Sequence, residues 1–226
     1  MSHKATNPDP VLPAGFLDSL VGDLAPVRPV RLARIAGAAA VLEIGAVAAT
    51  ALLSGVRFRG LERIGDPMFV GLLVMLAAGA LAGAATMARL SIPGRSVNPV
   101  LRVAVLALPL LLALLAVAIS PWGGTWKGFA AVVVEGFHCT SHTLLIALPA
   151  WLAGLVFLRR LAPMDAQGVG LFASSTALLT SAVVVQMACP NCDSWHLAVS
   201  HYSPILVAAW LGAMAAPLVL KRSRRG

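Results

Sequence analysis

Charged side chains are scarce in this 226-residue sequence. Asp, Glu, Lys and Arg make up 12% of it, whereas 59% of the residues are hydrophobic and the mean hydropathy is +0.87. A water-soluble domain of this size could not cover so much apolar surface with so few polar residues, so the composition excludes a soluble fold. We therefore expect the lipid bilayer to be the solvent of the chain.

Motifs of the common enzyme classes are also missing. The sequence has no nucleotide-binding loop, no Ser/His/Asp constellation and no paired carboxylates on the outer side. Haem attachment is disfavoured because the pair Cys189 and Cys192 is followed by Asp193 and not by His, and a thioredoxin-type enzyme would need a βαβ pattern. The first thirty residues hold no signal-peptide core, so we expect no cleavage. We expect a protein that is not an enzyme.

Long apolar runs dominate the rest of the chain. A bilayer core needs roughly 20 apolar residues per helical span. The sequence predicts an all-α polytopic membrane helical bundle of six transmembrane helices, preceded by a short cytoplasmic amphipathic helix. The predicted spans are residues 35–55, 68–90, 100–119, 137–158, 168–187 and 203–220.

The basic residues are distributed unevenly between the two sides of such a bundle. Short loops that carry Lys and Arg stay in the cytoplasm, so the side with more basic residues is the inner one. One side receives thirteen: Lys4, Arg28, Arg31, Arg34, Arg89, Arg95, Arg102, Arg159, Arg160, Lys221, Arg222, Arg224 and Arg225. The other side receives four: Arg57, Arg59, Arg63 and Lys127.

This asymmetry predicts a multi-pass membrane protein with both termini in the cytoplasm. It divides the chain into a cytoplasmic tail (1–31), a six-helix membrane domain (32–220) and a basic cytoplasmic tail (221–226). The net charge of +8 is then explained by topology, and we expect no direct nucleic-acid partner.

The N-terminal tail contains an amphipathic segment at about residues 14–25. Its apolar residues recur at helical spacing, and the two acidic residues lie away from the Leu stripe. The pattern fits either a helix on the membrane surface or a helix that binds a partner. Because surface helices are usually basic and this one is acidic, partner binding is favoured. The residues are Phe16, Leu17, Asp18, Leu20, Val21, Asp23 and Leu24.

All three cysteines and four of the five histidines cluster in two short segments that the topology places on the outer side. One chemistry is a disulfide, from Cys139 to Cys189 or Cys192 or between the latter two. The other is a zinc or copper(I) site, since thiolates and imidazoles are the ligands these ions prefer. The candidate ligands are His138, Cys139, His142, Cys189, Cys192, His196 and His201.

Three features of the spans lead to further expectations. Glu43 lies near the middle of the first span, where we expect it to be protonated and hydrogen-bonded to Thr180, Ser181 or a backbone carbonyl. Gly79 and Gly83 form a GxxxG motif, for which we favour packing within the chain over a dimer seam, and the motif leaves a homo-oligomer open. Residues 129–158 exceed one span, so we expect their first part to lie in the interface or to re-enter.

Taken together, these residues resemble the NrsF-type membrane anti-sigma factors, six-span bacterial proteins that hold an extracytoplasmic-function sigma factor at the inner membrane. The similar features are the opening at 16–28, Cys139 at the head of the fourth span, the loop at 92–95, Cys189-Pro190 and the following Trp195-His196. The resemblance covers almost the whole chain.

The resemblance implies that the N-terminal segment binds the sigma factor and that oxidants or thiol-binding heavy metals act on the paired cysteines. Cys192 departs from the two-cysteine pattern, which leaves open whether Cys189 or Cys192 pairs with Cys139. Two competing interpretations remain at this stage. One is a copper- or zinc-handling membrane protein, and the other is a membrane thiol oxidoreductase.

Overall fold

The computed structural model describes Gly15, Gly22 and residues 31–119, 128–161, 163–191 and 193–220, with no account of the side chains of Leu61 and Ile119. The chain forms two compact units, Met1–Arg31 and Leu32–Gly226. The seven residues of the predicted amphipathic helix lie outside the described residues, as does Cys192.

The second unit is built from helices, and the part of the chain that the structure describes contains no strand. Six helices are long and apolar enough to cross a membrane. This confirms the predicted all-α bundle and its six spans, while the side on which the termini lie stays a prediction. The helices are α1 (Leu32–Leu53), α2 (Pro67–Leu90), α3 (Pro99–Ile119), α4 (Phe129–Arg159), α5 (Ala166–Ala188) and α6 (Ser194–Leu220).

Two of these helices begin earlier than the sequence predicts. Helix α4 runs without interruption from Phe129, after Gly128 with a φ of 92°, so the expectation that this part re-enters is wrong, while its position in the membrane interface stays a prediction. Helix α6 begins at Ser194 because the Asp193 side chain accepts hydrogen bonds from the backbone N–H groups of Trp195 and His196 at 2.9 and 3.2 Å. The polar residues at the start of α6 indicated a loop, whereas the start of α4 was placed later because residues 129–158 exceed the length of one span.

Helix α5 lies at the centre of the bundle. An 18-residue stretch of it is 78% buried, compared with 22–39% for the other five spans. Its hydroxyl side chains tolerate burial because they donate to carbonyls one turn back, as Ser174 does to Gly170 and Thr176 to Phe172, both at 2.7 Å. The end of α5 is therefore held by helices on several sides.

Small residues allow the helices to approach closely. A side chain at Gly79 would collide with Leu108 of α3, and one at Gly83 would collide with Thr176 of α5. The GxxxG motif thus packs against two neighbouring helices of the same chain. This confirms the expectation of packing within the chain.

The outward faces of the helices remain apolar. Val41, Leu52, Val134 and Leu218 are 73 to 76% exposed. Bare aliphatic side chains over the whole perimeter are unfavourable in water and are typical of a surface that faces lipid. The chain is accordingly a multi-pass membrane protein.

The carboxyl group of Glu43 is fully buried between α1 and α4, and the structure contradicts its expected hydrogen bonds. Neither carboxyl oxygen has a partner. Thr180 donates to the Thr176 carbonyl at 2.8 Å and Ser181 to the Thr143 carbonyl at 2.7 Å, so both hydroxyl protons are already engaged. The Glu43 carboxyl packs instead against the backbone of α4 at Gly154, where a side chain would collide with it.

Candidate functional site

Four of the predicted ligands meet at one end of the bundle. Cys139 lies three turns into α4, Cys189 directly follows α5, and His196 and His201 lie in the first turns of α6. One ligand atom from each of the four lies within 4.8 Å of all the others. Residues 139 and 189 are 50 positions apart in sequence, so tertiary packing brings this cluster together.

The two sulfur atoms form the core of the cluster. Cys139 and Cys189 are free thiols whose Sγ atoms are 3.4 Å apart. A disulfide bond is about 2.05 Å long, so oxidation requires only a small approach of the two side chains. The Cys139 thiol is partly exposed, whereas Cys189 is buried with 4% of its surface accessible.

Cys189 is held in place by the connection between α1 and α2. Arg63, at the end of the 3₁₀ turn Arg59–Arg63, donates from Nη2 to the Pro190 carbonyl at 2.5 Å. Gly60 of the same turn lies so close to the backbone of Met187 that an added Cβ would stand 2.6 Å from the Met187 carbonyl oxygen. The Cys189 thiol also donates to the Asn191 carbonyl at 3.3 Å.

A π-helical turn at Leu197–Tyr202 aligns the two histidines. In an α-helix, residues five apart point roughly 140° away from each other. A π-helix has i to i+5 hydrogen bonds, which bring such residues to the same face. The rings of His196 and His201 are therefore adjacent, with centroids 5.3 Å apart. Their spacing in sequence carries no signal of this pairing unless the π turn is known.

Helix α4 supports the π turn through close backbone contact. A side chain at Gly136 would collide with Ser200, and the Thr140 hydroxyl donates to the Ser200 carbonyl at 2.9 Å. On the other side, the Tyr202 hydroxyl donates to Oε1 of Gln186 in α5 at 2.9 Å. The turn that carries His201 is thus fixed between the helices that carry the two thiols.

The imidazoles have unused hydrogen-bonding capacity. His196 places Nε2 3.3 Å from the Cys189 sulfur, while its Nδ1 has no hydrogen-bond partner. His201 is completely buried, and neither of its ring nitrogens has a partner. A buried imidazole without partners is costly, and its position beside two thiols points to a ligand that the nitrogens would contact.

The four ligand atoms fit a thiophilic metal ion. Ligand atoms on a tetrahedral zinc ion with bonds of about 2.0 to 2.3 Å lie about 3.3 to 3.8 Å apart. The sulfur–sulfur distance of 3.4 Å and the distance of 3.3 Å from the Cys189 sulfur to His196 Nε2 are close to that spacing, and all four ligand atoms lie within 4.8 Å of one another, so small side-chain movements would bring them onto one ion. Two sulfur and two nitrogen donors suit zinc or copper(I).

The thiol of Cys189 is weakly acidic in this setting. Contact with the Cys139 thiol, followed by burial, raises the pKa of Cys189 above its ordinary value, and His196 and His201 lower that pKa in part. The thiol is therefore protonated at neutral pH. Oxidation or metal binding at the cluster must release this proton.

His138 and His142, the other predicted ligands that the structure describes, are not part of the four-residue cluster. Their rings lie 4.2 Å apart on the exposed side of α4, and His142 Nδ1 is 2.9 Å from the His138 carbonyl oxygen. Both line an open cleft of about 520 Å³ that also reaches Cys139. Arg57 and Arg59 line the same cleft, although no motif marks them in the sequence.

Six lipid-facing spans with a thiol and imidazole cluster at one end define a polytopic membrane protein with a built internal site. The family model described as NrsF, negative regulator of sigma F, matches residues 20–221, and the chain belongs to this family. Membership implies that the protein negatively regulates a sigma factor, which is its partner, and that it is a regulator rather than an enzyme. No curated protein and no solved structure matches the chain.

Proposed function

We propose that this protein is an anti-sigma factor of the bacterial inner membrane that binds an extracytoplasmic-function sigma factor through its N-terminal segment. Both termini lie in the cytoplasm, and the cluster of Cys139, Cys189, His196 and His201 faces the periplasm. Reaction of the two thiols with an oxidant or a thiophilic metal ion releases the sigma factor. The basic residues concentrated on one side of the bundle support this orientation.

The observation that carries the proposal is the sulfur–sulfur distance of 3.4 Å in a chain with only three cysteines. Two free thiols this close can be joined by loss of two electrons or bridged by one metal ion. Each product tightens the contact between α4 and the end of α5. The cluster thus has a reduced, metal-free state and a joined state with different packing.

Packed helices connect the cluster with α1, the first helix of the bundle. Cys139 lies on α4, and the same helix contacts Glu43 of α1 at Gly154. Helix α1 begins at Leu32, directly after the N-terminal unit. A change in the packing of α4 therefore acts on α1, the helix that follows the proposed binding segment in the sequence. Such a path supports coupling, and a functional measurement has to demonstrate it.

The test uses the full chain co-expressed with an extracytoplasmic-function sigma factor that it captures. Membranes are treated with a mild oxidant or with zinc, and the sigma factor that remains bound is quantified. We expect release from the wild type and retention by Cys139→Ser. Ser141→Ala on the same helix is the matched control and should respond like the wild type. Release from Cys139→Ser equal to that from the wild type would contradict the sensing role.

The binding segment is tested separately in the full chain. Leu20→Asp with Leu24→Asp should abolish capture of the sigma factor because it places charges in the apolar stripe. Thr6→Asp with Asn7→Asp adds the same charge outside the stripe and should leave capture unchanged. If the sigma factor still co-purifies with the first variant, the stripe is not the binding surface.

The four-ligand geometry also favours a second candidate, a protein that binds copper or zinc as its own function. In that case purified protein would hold metal in stoichiometric amount, and capture of a sigma factor would not depend on residues 16–24. Metal content and sigma-factor capture measured on the same preparations separate the two functions.

A further inference from the structure

A positively charged cleft opens beside the exposed side of the thiol pair. Its volume is about 520 Å³. One wall comes from the connection between α1 and α2, and the other from α4 and the end of α5. Its chemically active lining residues are Arg57, Arg59, His138, Cys139, His142 and Cys189.

Among the described residues, no acidic side chain forms an ion pair with the two arginines that line the cleft. Arg57 and Arg59 have exposed side chains, and neither forms an ion pair within the described residues. No Asp or Glu lines the cleft. The nearby Asp66 instead caps α2, accepting from the Met68 N–H at 2.9 Å. Two free guanidinium groups on one wall of a concave site attract anions and raise their local concentration.

The thiols are arranged for a two-step exchange at the floor of this cleft. Cys139 is partly exposed, whereas Cys189 is buried 3.4 Å away. An incoming reagent therefore meets Cys139 first, and Cys189 stands within reach of the product. This is the order of an attacking and a resolving thiol.

We propose that the cleft binds a small organic disulfide that carries carboxylate groups and that Arg57 and Arg59 select it by charge. The Cys139 thiolate attacks one sulfur of the bound R–S–S–R, forms the mixed disulfide and releases the first R–S⁻. The Cys189 thiol loses its proton and attacks the Cys139 sulfur, which expels the second R–S⁻. Two electrons pass to the organic disulfide, and the thiol protons leave with its two thiols.

The size of the cleft supports an organic ligand. Volumes of roughly 300 to 1,000 Å³ are typical of sites for molecules of this size, whereas a peroxide or a bare metal ion needs far less space and gains nothing from two arginines. The inference rests on the proposed function for its physiological consequence. The chemistry in the cleft can be measured without any sigma factor.

The experiment follows thiol loss in the purified full chain carrying Cys192→Ser. Three probes differ in charge: the dianion dithiobis(nitrobenzoate), neutral dithiodipyridine and the dication cystamine. Each rate is divided by the rate of the same probe with mercaptoethanol, because the leaving thiols of the probes differ in acidity, and the neutral probe then corrects for the accessibility of the protein thiol. We expect the anionic probe to react faster than cystamine after this correction and to release two thiolates per chain. The higher rate of the anionic probe relative to cystamine should decrease as salt is added.

The decisive comparison removes two positive charges either from the cleft or from a part of the chain outside it. In Arg57→Gln with Arg59→Gln, the ratio of anionic to neutral rates should fall by about tenfold. The matched control is Arg89→Gln with Arg95→Gln, which removes two charges from the end of α2 and the connection that follows it. Its ratio of anionic to neutral rates should stay as in the wild type. An unchanged ratio in the first variant, or no preference for the anion in the wild type, would overturn the proposal.

The two proposals fail in different ways. If the anionic probe is preferred and forms the disulfide but the sigma factor stays bound, the cleft assignment stands and the signalling role is wrong. If oxidation releases the sigma factor but the charge of the probe has no influence, the signalling role stands and the anion site is wrong.

Discussion

Replacement of His201 by Leu should shift stability in opposite directions with and without metal. In the metal-free protein, the ring is fully buried and both nitrogens lack partners. An unsatisfied buried polar group costs about 1 to 3 kcal/mol. Leu has a similar volume and no polar atoms, so His201→Leu should stabilise the metal-free protein by about 1 to 3 kcal/mol.

With metal present, the same change should be harmful. A ligand at a hundred times its dissociation constant stabilises the folded state by about 2.7 kcal/mol. Loss of one of four ligands should remove most of this stabilisation. The folded wild type should therefore gain stability on addition of zinc, and the variant should gain little.

The assay is an unfolding titration of the purified chain in mixed micelles, in chelator and in zinc. His142→Leu is the matched control, because it is the same substitution outside the four-ligand cluster, and zinc should still stabilise it. If His201→Leu destabilises the metal-free protein, the ring has partners that the structure does not show. If zinc stabilises both variants equally, His201 is not a ligand.

Three further outcomes are expected. Gly60→Ala should destabilise the fold by about 1 to 3 kcal/mol because its Cβ would stand 2.6 Å from a backbone oxygen at the end of α5. Gly65→Ala is the control, since a Cβ there has open space. Equal unfolding midpoints of the two variants would refute the close approach at Gly60. Glu43→Met should stabilise the bundle by about 1 to 2 kcal/mol since the carboxyl is buried without a partner, and a lower thermal midpoint would reveal a hidden partner. Disulfide formation between Cys139 and Cys189 should accelerate from about pH 7 to 9 because the raised pKa keeps Cys189 protonated at neutral pH; a flat rate of thiol loss would contradict this.

The spans were predictable because a membrane helix satisfies its backbone hydrogen bonds within its own segment. Length and hydropathy therefore suffice to locate all six. The start of α4 was misplaced because the apolar segment is longer than one span needs, and the start of α6 was misplaced because the polar residues there resemble a loop. At the start of α6, Asp193 satisfies the first backbone N–H groups and the helix continues through His196 and His201.

The sequence by itself determined the membrane environment and the number of helices. It also showed that the cysteines and histidines fall in two segments, and that the alternation of the spans across the membrane brings these segments to the same side. Only the tertiary structure decided which of them meet. His138 and His142 share an α-helical face with each other yet lie outside the cluster, while a π turn brings His196 and His201 together. The physical reason is that ligand positions depend on helix rotation and on close contacts such as that at Gly136, which no local pattern encodes.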